Sequence, residues 1–247
     1  MQNDRIKQYK GKYFSVLGDS ISTLDGYNPL GYEVFYDRTN GIFADVCTSD
    51  DTWWGQVISF FGGKLLINDS WSGSMVSKHP MCEVPSYSCS DERTSGLGRN
   101  GISPDVIMIF MGTNDRGYGM KPCAESPVEQ GDLAIFSVAY REMLRKLREN
   151  YPDAEIWCIT PGVSFCSRSR FFTFPHRLAG HDMAEYIKVI ADCAAEYGCV
   201  FIDLYSKAKQ YDTIDGLHPT ADGMAEISRA VTECVCDGKA SGVNGDN

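Results

Sequence analysis

The sequence predicts an α/β fold, a parallel β-sheet with helices packed on both faces. Three observations predict it. Five short apolar runs are spread along the chain, and stretches with a helical apolar period lie between them. One run, Val106-Ile107-Met108-Ile109-Phe110-Met111, has no polar alternation, the pattern of a strand covered on both sides. The right-handed crossover rule then distributes the helices over both faces.

Taken in order, the strands fall at residues 13–17, 64–68, 106–111, 155–160 and 200–204. A helix over 52–61 places Trp54, Val57, Ile58 and Phe61 on one face. A second, over 132–150, repeats Leu133, Phe136, Tyr140, Met143, Leu144 and Leu147, and Pro152 follows its end. A third, over 182–197, carries Met183, Ile187, Ile190 and Ala194 and stops at Gly198. The last, over 221–236, carries Met224, Ile227, Val231 and Cys234. No repeat, low-complexity tract or linker divides the chain. One domain is expected over 1–247, with its core at 13–236 and a Gly-rich, fraying tail at 237–247.

Three connections are long: 22–51, 69–105 and 162–180. Loops of that length usually carry a function. The first holds Tyr27, Tyr32, Phe35, Tyr36 and Phe43; the third holds Phe165, Phe171, Phe172 and Phe174 with Arg168, Arg170, His176 and Arg177. Parts of them are expected to wall a pocket.

Composition excludes several classes. The 247 residues carry 23 basic against 33 acidic side chains, a formal charge of −10, with no Lys/Arg stripe. Nucleic acid and anionic membrane surfaces are therefore poor partners. No apolar run approaches the length of a membrane span. The polar start, Met1-Gln2-Asn3-Asp4-Arg5-Ile6-Lys7, lacks the apolar stretch of a secretory signal, so a cytoplasmic location is expected. Ten cysteines are present, and Cys158, Cys193, Cys199 and Cys234 sit in or beside strand and helix patterns, where a thiol packs as a small hydrophobe. Cys82 and Cys89 share one loop, and their spacing leaves pairing open. Cys234-Val235-Cys236 has the wrong spacing for a zinc half-site. Mostly free thiols are expected.

Parallel sheets build their sites at the carboxyl ends of strands. Polar motifs follow four of the five strands: Gly18-Asp19-Ser20, Ser70-Trp71-Ser72-Gly73-Ser74, Gly112-Thr113-Asn114-Asp115, and Asp215-Gly216-Leu217-His218. They supply a hydroxyl, an imidazole and a carboxylate to one edge, the groups that nucleophilic acyl transfer uses. Ser20 is the candidate nucleophile, His218 the base and Asp215 the group that orients the imidazole. The N–H groups of Ser20 and Gly73 and the amide of Asn114 are candidate oxyanion donors. Asp19 is expected to hold the turn, Asp115 to cap a helix, Trp71 to line the site, and Arg116 or Tyr118 to face substrate. No metal or cofactor is needed for these roles.

Gly18-Asp19-Ser20-Ile21-Ser22, Gly73, Gly112-Thr113-Asn114-Asp115 and Asp215-Gly216-Leu217-His218-Pro219 resemble, in order and position, the four blocks of the SGNH hydrolases, or GDSL esterases/lipases. The resemblance spans about residues 13–236. It implies a three-layer α/β/α sandwich with a five-stranded parallel sheet in flavodoxin-like order 2-1-3-4-5. It also implies metal-independent ester hydrolysis, with Ser20, Asp215 and His218 catalytic and Ser20, Gly73 and Asn114 forming the oxyanion hole. Many relatives deacetylate carbohydrates, and others cleave lipids, thioesters or aryl esters. The aromatic and arginine content of the long loops, without an extended apolar lid, favours a short-chain or acetyl ester such as an O-acetylated sugar. The alternatives are a lipase, thioesterase or phosphodiesterase on the same fold, or a ligand-binding module without turnover.

Overall fold

A computed structural model describes residues 2–37, 45–80 and 87–237. The five strands are β1 (Tyr13–Gly18), β2 (Lys64–Asn68), β3 (Val106–Phe110), β4 (Glu155–Ile159) and β5 (Val200–Ile202). They form one parallel sheet in the order β2-β1-β3-β4-β5. The described helices are α1 (Gln2–Tyr9), α2 (Trp53–Phe61), α3 (Asp91–Ser95), α4 (Thr113–Gly117), α5 (Phe136–Asn150), α6 (Met183–Glu196), α7 (Leu204–Lys207) and α8 (Ala221–Cys236).

Successive strand side chains point to opposite faces, and both faces are covered. On β3, Val106, Met108 and Phe110 join one apolar cluster and Ile107 and Ile109 the other; all five are at most 1% exposed. The first cluster is completed from α1, α2 and α8 by Tyr9, Trp53, Trp54, Val57, Met224, Ile227 and Val231. The second is completed from α5 and α6 by Phe136, Tyr140, Leu144, Tyr186, Ile190 and Cys193. The layers are thus α/β/α, as expected.

Register fixes where the polar motifs emerge. Gly18 lies opposite Phe110, Phe110 opposite Ile159, and Ile159 opposite Ile202. The four strands end level, so their outgoing turns share one rim. The order reverses beside β1 and β3, and a crevice opens at such a switch point, outside the strand ends.

Some boundaries move for local reasons. The helix expected from 132 starts at Phe136. The Asp132 carboxylate accepts from the Ala134 N–H at 2.9 Å, while the Phe136 and Ser137 N–H groups donate to the Lys121 and Pro122 carbonyls at 2.9 Å each. The buried face of α6 runs through Tyr186, Val189, Ile190 and Cys193, with Ile187 at its margin. Thr52 and Thr220 cap α2 and α8, each accepting an N–H three residues on. α1 lies in a segment whose sequence is polar; it docks through Tyr9, which packs on Phe61 and Trp157.

All nine described cysteines are free thiols, Cys89 among them. Cys82, Phe43 and the tail beyond residue 237 lie outside the described residues. Among the described residues no helix is long and apolar enough to cross a membrane.

Candidate active site

β1 ends at Gly18 and the chain turns at once into a single 3-10 turn, Ser20–Ser22. A Cβ on Gly18 would lie 2.6 Å from Ser22 Cβ and 2.7 Å from Ser70 Oγ, so only glycine lets β1 pass this close to the turn it feeds. Asp19 caps the turn, its carboxylate accepting from the Ile21 N–H at 3.0 Å. Thr23 ties the turn to the next loop: its hydroxyl donates to the Ser20 carbonyl at 2.9 Å and accepts from the Phe35 N–H at 2.9 Å.

The His218 ring approaches this turn from the far end of the chain. Its Nε2 is 2.9 Å from Ser20 Oγ, and its Nδ1 is 2.7 Å from Asp215 Oδ2. An ionised carboxylate only accepts, so Nδ1 carries the proton and Nε2 presents a lone pair to the serine hydroxyl. Asp215 Oδ1 accepts from the Leu217 and His218 N–H groups at 2.9 and 2.8 Å. Burial works to raise the Asp215 pKa, but the His218 ring and these N–H groups outweigh it and hold the carboxyl at about 2. Gly216 sits at φ +94°, and a Cβ there would lie 2.2 Å from the Phe172 ring; glycine lets the loop fold under that ring.

Phe35 stacks on the imidazole, ring centres 3.4 Å apart and planes 8° from parallel. The Tyr36 hydroxyl donates to the Pro219 carbonyl at 2.8 Å. These contacts fix the ring plane. They come from the aromatic first loop, where composition predicts a pocket wall but no spacing singles out Phe35.

Asn114 opens onto the same rim from α4, and its Nδ2 donates to the Ser74 carbonyl at 2.8 Å, leaving the second amide hydrogen for another acceptor. Gly73 lies in a turn at φ +78°, closed by the Ser74 N–H donating to the Trp71 carbonyl at 3.0 Å. Among the described residues neither the Ser20 nor the Gly73 N–H is engaged by a protein acceptor. Asp115 does not cap its own helix. Its two oxygens accept from the Val76 and Ser77 N–H groups at 2.9 and 2.8 Å, pinning the loop after β2 to α4.

Beneath the turn lies a buried charged cluster that sequence reasoning missed. Arg93, 0% exposed, pairs with Asp69 at 2.5 Å through Nε. Its Nη1 donates to Ser74 Oγ at 2.8 Å, and its Nη2 to the Asp69 and Gly18 carbonyls at 2.5 and 3.3 Å. One guanidinium thus braces the ends of β1 and β2 and the segment that holds Asn114. Burial raises the pKa of Asp69 despite Arg93, and that of Asp115 despite its hydrogen bonds.

Of the remaining candidates, Trp71 stacks on Tyr32 with ring centres 4.0 Å apart. Tyr118 is 64% exposed and its ring meets His79, away from the cavity. Arg116 is buried and lines a cavity of about 250 Å3, together with Asn114, Asp215, Phe172, Phe174 and Tyr211.

A level-ended parallel sheet, a hydroxyl–imidazole–carboxylate line at its rim and nearby N–H donors define the class of serine ester hydrolases. The chain matches the GDSL-like Lipase/Acylhydrolase family model over residues 12–163, more than half its length, and belongs to that family. Among solved structures it is similar to a protein from Bacteroides uniformis ATCC 8492 described as a GDSL-like lipase: 29% identity, TM-score 0.67, 92% of this chain and 96% of that one. A second such protein, from Bacteroides ovatus ATCC 8483, is 25% identical with TM-score 0.67, covering 91% and 97%. The inhibitor-bound aryl esterase of M. smegmatis shares the fold at 16% identity and TM-score 0.61, covering 92% and 99%. No curated protein matches the chain. The family match stops at residue 163, so Asp215 and His218 join the candidate site on their motif and on the distances to Ser20.

Proposed function

We propose that this chain hydrolyses short-chain or acetyl esters, O-acetylated carbohydrate among them, through an acyl-Ser20 intermediate. The observation that carries the proposal is the unbroken line from Ser20 Oγ to His218 at 2.9 Å and from His218 to Asp215 at 2.7 Å. His218 Nε2 takes the hydroxyl proton as Ser20 attacks the ester carbonyl, then returns it to the leaving alcohol. Asp215 holds the Nδ1–H tautomer and stabilises the imidazolium. The N–H groups of Ser20 and Gly73 and the free amide hydrogen of Asn114 receive the developing oxyanion, each such donor contributing roughly 3 kcal/mol. Water then repeats the sequence on the acyl-enzyme. The small cavity favours a short acyl chain, and the Phe172 and Phe174 rings suit the apolar face of a sugar.

Ser20→Ala is expected to lower kcat/KM by on the order of 10⁴-fold and abolish fluorophosphonate labelling, with the melting transition retained. A nitrophenyl ester series should fall in kcat/KM from acetyl to decanoyl. Faster cleavage of decanoate than acetate would defeat the short-chain assignment.

A further inference from the structure

Arg116 lines the cavity and carries an unmet demand. It is 6% exposed, and its Nε and Nη2 are buried with no hydrogen-bond partner. Among the described residues no carboxylate lies within ion-pair distance of it. Asp215 lines the same cavity, but its oxygens are taken by His218 and the Leu217 N–H. The groups that act on Arg116 besides burial are the hydroxyls of Tyr186, Tyr205 and Tyr211, and none of these is a carboxylate. A buried guanidinium without a counter-charge is costly, and a structure keeps one where something else supplies the charge.

The geometry says what that is. Nε and Nη2 form the side-on edge of the guanidinium, the edge that meets a carboxylate in two parallel hydrogen bonds. Phe174 packs over the guanidinium carbon at 5.2 Å and holds the plane. Asn114 and Asp215 line the same space, so a group bound at Arg116 shares a cavity with the candidate oxyanion amide and the carboxylate that holds His218.

We propose that Arg116 is a specificity residue for a carboxylate carried by the ester substrate, a refinement that rests on the esterase reading above. The carboxylate belongs either to the acyl group, as in a dicarboxylic half-ester, or to the alcohol, as in an acetylated uronic acid. The two sources share one chemistry and separate by assay.

The test compares kcat/KM for nitrophenyl hemisuccinate against nitrophenyl acetate, and for acetylated glucuronate against acetylated glucose, in the wild type and in Arg116→Gln and Arg116→Lys. One anionic ester is expected to exceed its neutral counterpart by tenfold or more. That ratio should collapse in the Gln variant and survive in part in the Lys variant. A parallel calorimetric titration with succinate and with glucuronate needs no turnover, and the preferred anion should bind at least tenfold more weakly to Arg116→Gln. If the wild type turns over nitrophenyl acetate, shows no anionic preference and binds neither anion, the carboxylate assignment is overturned whether or not the variants fold. Arg116-dependent binding without turnover of any ester supports the carboxylate site and removes the esterase reading instead.

Discussion

Two carboxyl groups in the first and last motifs of this site are driven in opposite directions. Asp215 is held at about 2 by the His218 ring and backbone N–H groups acting against burial. Asp19, the 1% exposed cap of the Ser20 turn, is pushed up to about 7, by burial first and then by the charge of Asp115, against the Ile21 N–H and Arg93. An acid with a raised folded-state pKa binds its proton more tightly folded than unfolded. Asp19 therefore favours folding at low pH, and stability drains away as pH rises from its unfolded value near 4 through about 7. Asp19→Asn keeps the carbonyl that accepts from Ile21 and removes the titration. In urea melts between pH 5 and pH 8 the wild type should lose stability relative to Asp19→Asn, by about 2.5 kcal/mol. Parallel pH slopes for the two proteins would show that Asp19 does not titrate there.

At the scale of elements, a five-residue helix performs the largest positioning task. α3 is capped by Ser90 and exists to deliver Arg93 under the rim. Arg93→Met leaves Asp69 buried without its partner, so a loss of about 3–5 kcal/mol is expected in chemical denaturation. Asn114 and Gly18 should shift with it, lowering kcat more than raising KM at temperatures where the variant stays folded. Wild-type stability and kcat in Arg93→Met would reduce the guanidinium to a bystander. The sequence exposes the strands because each is apolar through the sheet, and the long helices because their apolar period runs for three turns or more. α3, α4 and α7 are too short to show a period, and α1 buries too little of itself to display one. Ser20, Asn114, Asp215 and His218 are legible because each sits in a motif that follows a strand. Phe35 and Arg93 are not: the Arg93–Gly18 contact spans 75 residues, and no local spacing encodes a partner that distant.

For the molecule as a whole, the Ser20–His218 contact joins residues 198 apart in sequence, so it exists only while both segments are docked. The His218 segment is held by the Tyr36 hydroxyl on Pro219 and by Asp45 accepting from the Ala221 N–H at 2.9 Å. Behind it α8 packs on α2 and buries Met224, Ile227 and Val231 in the core that carries β1. A site anchored this way should have no private unfolding transition. Fluorophosphonate labelling of Ser20, which needs His218 in place, should then be lost at the same urea concentration as far-ultraviolet dichroism. Ile227→Ala, a truncation of a fully buried side chain of α8 in that core, should cost about 2–5 kcal/mol. It should move both midpoints together while leaving kcat/KM in dilute buffer near wild type. Labelling lost well before the dichroism would instead mean that the His218 segment opens on its own, with the sheet still folded.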